Sequence, residues 1–156
     1  MEKHGFILSI DQGTSGTRSS LVDSSGVIVG SAYQEITQYF PSPGWVEHDP
    51  EELFQSVLET IENLLDEFEV APENIRSIGI TNQRETTLIW DRRTGKPIYN
   101  AIVWQCRRST YICEEYMEMG LHDKIQRVTG LTVDPYFCAS KISWLLENVT
   151  GARELA

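Results

Sequence analysis

Phe6-Ile7-Leu8-Ser9-Ile10-Asp11-Gln12-Gly13-Thr14-Ser15-Gly16-Thr17-Arg18-Ser19-Ser20-Leu21-Val22 is the stretch whose reading decides the architecture. Phe6 to Ile10 is a short apolar run that suits a buried strand. Ser19 to Val22 suits a second strand, and the polar or small residues between them form the top of a hairpin. Asp23-Ser24-Ser25-Gly26 is a turn, because Asp, Ser and Gly all favour turn geometry. Val27 to Ile36 then reads as a third antiparallel strand. The chain therefore opens as a meander, and the chemistry sits where its first two strands meet.

That junction, Asp11 to Arg18, has the make-up of an anion-binding loop. Glycines let backbone N–H groups turn inward around an anion, the hydroxyls of Thr14, Ser15 and Thr17 donate to phosphate oxygens, and Arg18 adds positive charge. Asp11, at the end of a buried strand, is placed to hold a magnesium ion through water, since that ion takes one or two carboxylates and keeps its waters. The loop is not a G-x-x-x-x-G-K-[ST] phosphate loop, and a strand follows it where a helix would stand. A polar hairpin turn with a satisfied Asp accounts for the same residues equally well.

Beyond the meander, Pro41-Ser42-Pro43-Gly44-Trp45 is a loop, and a helix starts with Asp49 as N-cap, Pro50 at the first helical position and Glu52 completing a capping box. Leu53, Phe54, Val57, Leu58, Ile61, Leu64, Leu65 and Phe68 fall on one face at the 3.6-residue period. Pro72 ends this element. Ile75 to Thr81, Thr86 to Trp90 and Ile98 to Trp104 read as strands, with a turn at Asp91 to Pro97. Arg107 to Met119, His122 to Thr129 and Ala139 to Asn148 read as helices. The order predicts an α/β fold with a mixed sheet and flanking helices. The chain stops at Ala156 with no element after its last helix, which reads as a fragment.

Composition narrows the function classes. The chain has 156 residues, 13 Lys plus Arg against 23 Asp plus Glu, and a net charge of −10. A basic surface for nucleic acid is not expected, because phosphate affinity needs clustered Lys and Arg. Glu47 to Glu73 holds ten acidic residues and no Lys or Arg, so the acidity belongs to that segment, read as a solvated helix face. Arg76 to Arg108 holds seven basic residues against Glu85 and Asp91, a local +5. Cys106, Cys113 and Cys138 lack C-x-x-C spacing, so reduced thiols are expected in place of disulfides or zinc. His4, His48 and His122 are scattered without metal-ligand spacing. No apolar run approaches the roughly 18 residues of a membrane span. Asp11 stops the first apolar run too early for a secretion signal, and a cytoplasmic location is expected.

A second cluster follows the strand that ends near Ile80. Arg84 and Glu85 supply donors and an acceptor for a small polyhydroxylated molecule at a strand end, where α/β sheets bind ligands. Trp104 and Tyr136 would pack on its carbon face, with the Tyr136 hydroxyl in reach. A surface ion pair and two core aromatics remain the simpler reading of any one of these residues taken alone.

Taken in order, several long motifs resemble one family. They are Asp11-Gln12-Gly13-Thr14-Ser15, Pro43-Gly44-Trp45-Val46-Glu47-His48-Asp49-Pro50, Gly79 to Thr87 with Arg84-Glu85 at its centre, Gly95 to Gln105, and Asp134-Pro135-Tyr136-Phe137. The chain resembles the glycerol kinases, members of the carbohydrate-kinase family with a ribonuclease-H-like (actin and hexokinase) ATPase fold. The resemblance runs through essentially all 156 residues. It implies a mixed sheet that is incomplete at the C-terminus, residues 1–156 forming the N-terminal part of the first ribonuclease-H-like domain of a two-domain kinase. It implies transfer of the γ-phosphate of ATP to the terminal hydroxyl of glycerol, giving sn-glycerol 3-phosphate. Arg84, Glu85, Trp104 and Tyr136 would then hold glycerol. Thr14, Ser15 and Gly16 would contact the nucleotide phosphates, with Arg18 close by, and Asp11 would position Mg2+. A related sugar or polyol kinase, or a non-catalytic module of the same fold, are the alternatives. Gly16 departs from the hydroxyl residue usual in the family. The family's catalytic Asp and its adenine pocket lie in later segments, so no catalytic residue is expected in this chain and the isolated piece should be inactive. The family also implies a homo-oligomer, dimer or tetramer.

Overall fold

The computed structural model describes residues 5–155, so His4 and the end of the chain at Ala156 lie outside the described residues. In chain order the elements are β1 (Phe6–Gln12), β2 (Gly16–Val22), β3 (Ile28–Glu35), β4 (Glu47–His48), α1 (Pro50–Glu67), a 3-10 turn (Pro72–Asn74), β5 (Ile75–Asn82), β6 (Ala101–Ile102), α2 (Thr110–Glu118), α3 (His122–Thr129), α4 (Cys138–Asn148) and α5 (Ala152–Leu155). They divide into two compact units, Met1–Thr37 with Glu51–Gln83 and Gln38–Pro50 with Arg84–Ala156.

The first unit is a mixed four-stranded sheet in the order β3-β2-β1-β5. β1, β2 and β3 form the expected antiparallel meander, while β5 runs parallel to β1. At the β2–β3 turn, Asp23 Oδ1 accepts the backbone N–H groups of Ser25 and Val27 at 2.8 and 3.0 Å. Leu8, Ile10, Leu21 and Leu64 form the core between sheet and α1, each contributing about 1.5–3 kcal/mol by leaving water.

The face that α1 buries matches the apolar stripe read from the sequence only in part: Val57, Ile61, Leu64 and Leu65 are in or packed on the core. Its fully buried line is Ser56, Thr60 and Leu64, while Phe54, Leu58 and Phe68 are exposed. The reason lies in β2, whose inward residues are small and polar. Thr17 and Ser56 share a 2.6 Å hydroxyl hydrogen bond, and Ser19 and Thr60 one of 2.9 Å. Small residues let helix and strand approach, and each buried hydroxyl finds its partner across the gap. A similar close approach occurs at Gly30, where a Cβ would overlap the ring of Phe68.

In the second unit the two strands expected over 86–90 and 98–104 do not form at those lengths. β6 spans two residues, paired antiparallel with an equally short β4, and Thr87 and Trp90 make only single bridges, to Ile102 and Pro97. The apolar residues of these segments serve a three-dimensional core instead. Ile102 and Val103 are buried with Val46, Cys106, Ile112, Trp144 and Leu145, and Ile89 packs against them. The helix expected from Arg107 begins at Thr110, because Arg108 and Ser109 turn inward and are buried. A further short helix, α5, follows α4 where none was expected. Cys106, Cys113 and Cys138 are free thiols.

Charge is also redistributed. Glu47, read as part of a solvated acidic run, is buried, and its Oε1 lies 2.7 Å from Arg108 Nη2. Tyr99 Oη donates to Oε1 and Asn100 Nδ2 to Oε2, both at 2.8 Å. The Arg108 guanidinium stands 4.0 Å from the Trp45 ring centroid and 4.7 Å from that of Trp144. Burial alone would raise the Glu47 pKa; hydrogen bonds from Asn100, Arg108 and Tyr99, with the guanidinium charge, outweigh it and hold the carboxyl below the usual glutamate range. A carboxyl depressed on folding contributes stability that is present above its unfolded pKa and lost as pH falls through the folded one. Unfolding titrated from pH 6 downward should therefore show stability falling below the ordinary glutamate range, with Glu47→Gln flattening that fall.

Candidate functional site

Two groups of the expected residues lie one in each unit. In the first, Asp11 and Gln12 belong to β1 and Gly16 to Arg18 belong to β2, so the loop is only Gly13, Thr14 and Ser15. It is braced from several sides. The Gly13 N–H donates to the Gly16 carbonyl at 2.9 Å, and the Ser15 carbonyl accepts the N–H of Ile36 at 3.2 Å. Gln83, buried at the end of β5, donates through Nε2 to Gln12 Oε1 at 3.2 Å. The expectation that the loop glycines offer free N–H groups fails at Gly13, whose donor closes the hairpin. Thr17 likewise turns its hydroxyl toward Ser56 and away from an anion on the other face.

Strand alternation places Asp11 and Arg18 on the face opposite α1, because their neighbours Ile10 and Ser19 are the buried ones. Asp11 pairs in register with Arg18 on β2 and with Thr81 on β5. Asp11 is exposed there, as is Arg18. Among the described residues no cluster of three or more His, Cys, Asp or Glu side chains could hold a metal. A single exposed carboxylate fits an ion held largely through its own waters, as Mg2+ is, and does not fit a metal that needs a full protein ligand set.

In the second unit, Glu85, Trp104 and Tyr136 come together around the N-terminus of α4. Glu85 Oε2 accepts the backbone N–H of Cys138, the first residue of α4, at 3.1 Å and its thiol at 3.2 Å. A carboxylate there satisfies one orphan helix donor and the positive end of the helix dipole. Burial raises the Cys138 pKa, and despite a hydrogen bond with Thr87 the thiol stays protonated and able to donate to Glu85. Glu85 has φ of 65°, a left-handed conformation uncommon for a non-glycine residue. Trp104 and Tyr136 meet edge to face, ring centroids 5.9 Å apart, and Tyr136 meets Phe137 in the same way at 5.1 Å. The Tyr136 N–H donates to Asp134 Oδ1 at 2.7 Å, which also accepts from Arg107 Nη1 at 3.1 Å. Arg84 is exposed, with no ion pair among the described residues.

Sequence reading missed Lys141. Its side chain is wholly buried, and Nζ donates to the carbonyls of Pro135, Tyr136 and Phe137, at 2.9 Å for the first and 3.0 Å for the last. Burial pushes its pKa below the ordinary lysine range. The ammonium thus clamps the backbone that carries the Tyr136 ring. A lysine on an amphipathic helix usually extends to solvent, so nothing in the local pattern marks this one.

A profile described as the FGGY family of carbohydrate kinases, N-terminal domain, matches residues 6–156. The chain belongs to the FGGY family of carbohydrate kinases. A glycerol kinase of Carboxydothermus hydrogenoformans is 54% identical over 97% of this chain. The crystal structure of Plasmodium falciparum glycerol kinase with ADP superposes with a TM-score of 0.83, at 39% identity over 97% of this chain and 30% of that one. A gluconate kinase from Lactobacillus acidophilus, at 24% identity, shares the fold with a TM-score of 0.87, covering 98% of this chain and 30% of that one. The chain spans about 30% of the length of the curated relatives that it matches. The mixed sheet with flanking helices is therefore the actin- and hexokinase-like architecture of FGGY kinases, as the resemblance implied. Among the described residues no helix of this FGGY chain is long and apolar enough to cross a membrane.

Proposed function

We propose that the protein containing this chain is a glycerol kinase, transferring the γ-phosphate of ATP to the terminal hydroxyl of glycerol to give sn-glycerol 3-phosphate. The observation that carries this reading is the 54% identity to a glycerol kinase across 97% of the chain. The second unit supplies groups that suit such a substrate. Glu85 has one oxygen, Oε2, committed to Cys138, and its Oε1 would accept from glycerol hydroxyls. Arg84 would donate to them, and the Trp104 and Tyr136 edges would cover the carbon chain.

Phosphoryl transfer depends mainly on positioning and on neutralising charge. Thr14, Ser15 and Gly16 would line the nucleotide phosphates with Arg18 beside them, and Asp11 would hold hydrated Mg2+, which offsets phosphate charge when bound. The general base that takes the proton from the attacking hydroxyl would come from sequence outside these residues, so the 156-residue piece alone should be inactive. On this reading residues 1–156 are the N-terminal part of the first of two domains, in a cytoplasmic enzyme that forms a homo-oligomer.

The test is substrate profiling of the full-length protein. ATP-dependent phosphorylation of glycerol with little or none of xylulose or gluconate is the expected result. Strong turnover of a pentulose with none of glycerol would instead make it a related sugar kinase.

A further inference from the structure

The face of the sheet opposite α1 carries more than the loop and Asp11. Register aligns Tyr33 of β3, Arg18 of β2, Asp11 of β1 and Thr81 of β5 in one row across all four strands. The Arg18 guanidinium lies over the Tyr33 ring, 5.1 Å from its centroid. The Tyr33 hydroxyl ends above Gly16. A Cβ built on Gly16 would overlap Tyr33 Oη and the Gln34 carbonyl oxygen, and would stand 2.6 Å from Tyr33 Cζ. The phenol therefore occupies the side-chain space of residue 16, immediately after the Thr14–Ser15 turn.

This placement matters because the loop is short of donors. Gly16 has no side chain, the Thr17 hydroxyl is buried against Ser56, and the Gly13 N–H is taken by the Gly16 carbonyl. By strand alternation Asp11 and Glu35 bring carboxylates to the same face, so an anion there needs every donor available. Tyr33 is half-exposed, and its phenolic hydroxyl can serve as a hydrogen-bond donor. We propose that Tyr33 is a nucleotide-phosphate contact, its hydroxyl supplying at Gly16 the donor that the loop lacks while its ring seats Arg18. The inference rests on the ATP-dependent kinase reading above and adds a residue that the loop motif does not contain.

Tyr33→Phe in the full-length protein tests it, because the ring beneath Arg18 is kept and only the hydroxyl is lost. A hydrogen bond to a charged group corresponds to about a tenfold change in affinity or more. ATP Kd and the KM for ATP should rise by about tenfold, while adenosine binding, the KM for glycerol and the thermal midpoint stay at wild-type values. Wild-type ATP affinity in Tyr33→Phe overturns the proposal. An equal loss for ATP and adenosine overturns it too, since the residue would then act on the fold and not on phosphate. A wild-type protein that binds ATP but phosphorylates another polyol in place of glycerol refutes the substrate reading alone, leaving the Tyr33 comparison to be judged by ATP binding.

Discussion

Arg108→Ala is expected to destabilise the protein by about 3–5 kcal/mol, the cost of removing one partner of a buried ion pair. Arg108 and Glu47 are both withdrawn from water, their side chains 0% and 4% exposed. Without the guanidinium, Glu47 keeps the Tyr99 and Asn100 hydrogen bonds but no compensating charge, and the carboxylate must protonate or admit water. The space that the guanidinium fills against Trp45 and Trp144 also empties, adding a packing loss. Urea unfolding of full-length wild type and variant measures the difference. Removing both partners together should cost less than the sum of the single changes, because neither charge is then stranded. A loss under about 1 kcal/mol for Arg108→Ala would mean that the pair is hydrated in solution and not part of the core.

Arg84→Ala should have the largest effect on the reaction. Arg84 is exposed, so its removal leaves folding nearly untouched. If it donates to glycerol, losing hydrogen bonds from a charged group raises the KM for glycerol by about 10- to 100-fold, with the KM for ATP unchanged. Steady-state kinetics with each substrate varied in turn gives the answer. Equal rises in both constants would remove Arg84 from the polyol contact and point to a general electrostatic role.

How far the sequence is legible depends on whether a signal is local. The meander, the start of α1 at Pro50, the strand β5 and helices α3 and α4 all follow from periodicity and punctuation within a few residues, though not the parallel pairing of β5 with β1. β4 and β6 do not, since a two-residue strand carries no pattern, and Val103 is apolar because it is buried in one core with Trp144 and Leu145, forty residues away in the chain. α1 misleads in a different way. Its inward line is set by Thr17 and Ser19 on β2, so Ser56 and Thr60 go in and Phe54 stays out. Of the candidate site, Glu85 and Tyr136 are visible as residues of a motif. Lys141 and Tyr33 are not, because one matters through carbonyls that fold back over its helix and the other through a glycine on the neighbouring strand.

The parallel partnership of β1 and β5 also fixes an order of events. β1, β2 and β3 are joined by short turns and can zip together locally, whereas Ile10 meets Ile80 only after some seventy residues of chain have been brought round. β5 is therefore expected to join after the meander. When it does, its far edge has no neighbour among the described residues, and Ile78 and Ile80 stay 58% and 73% exposed. Such an edge is where a strand from the rest of a longer protein would add to the sheet, and without that strand it is a template for pairing with another molecule. The isolated 156-residue piece should therefore aggregate more readily on refolding than the full-length protein, its yield falling as protein concentration rises.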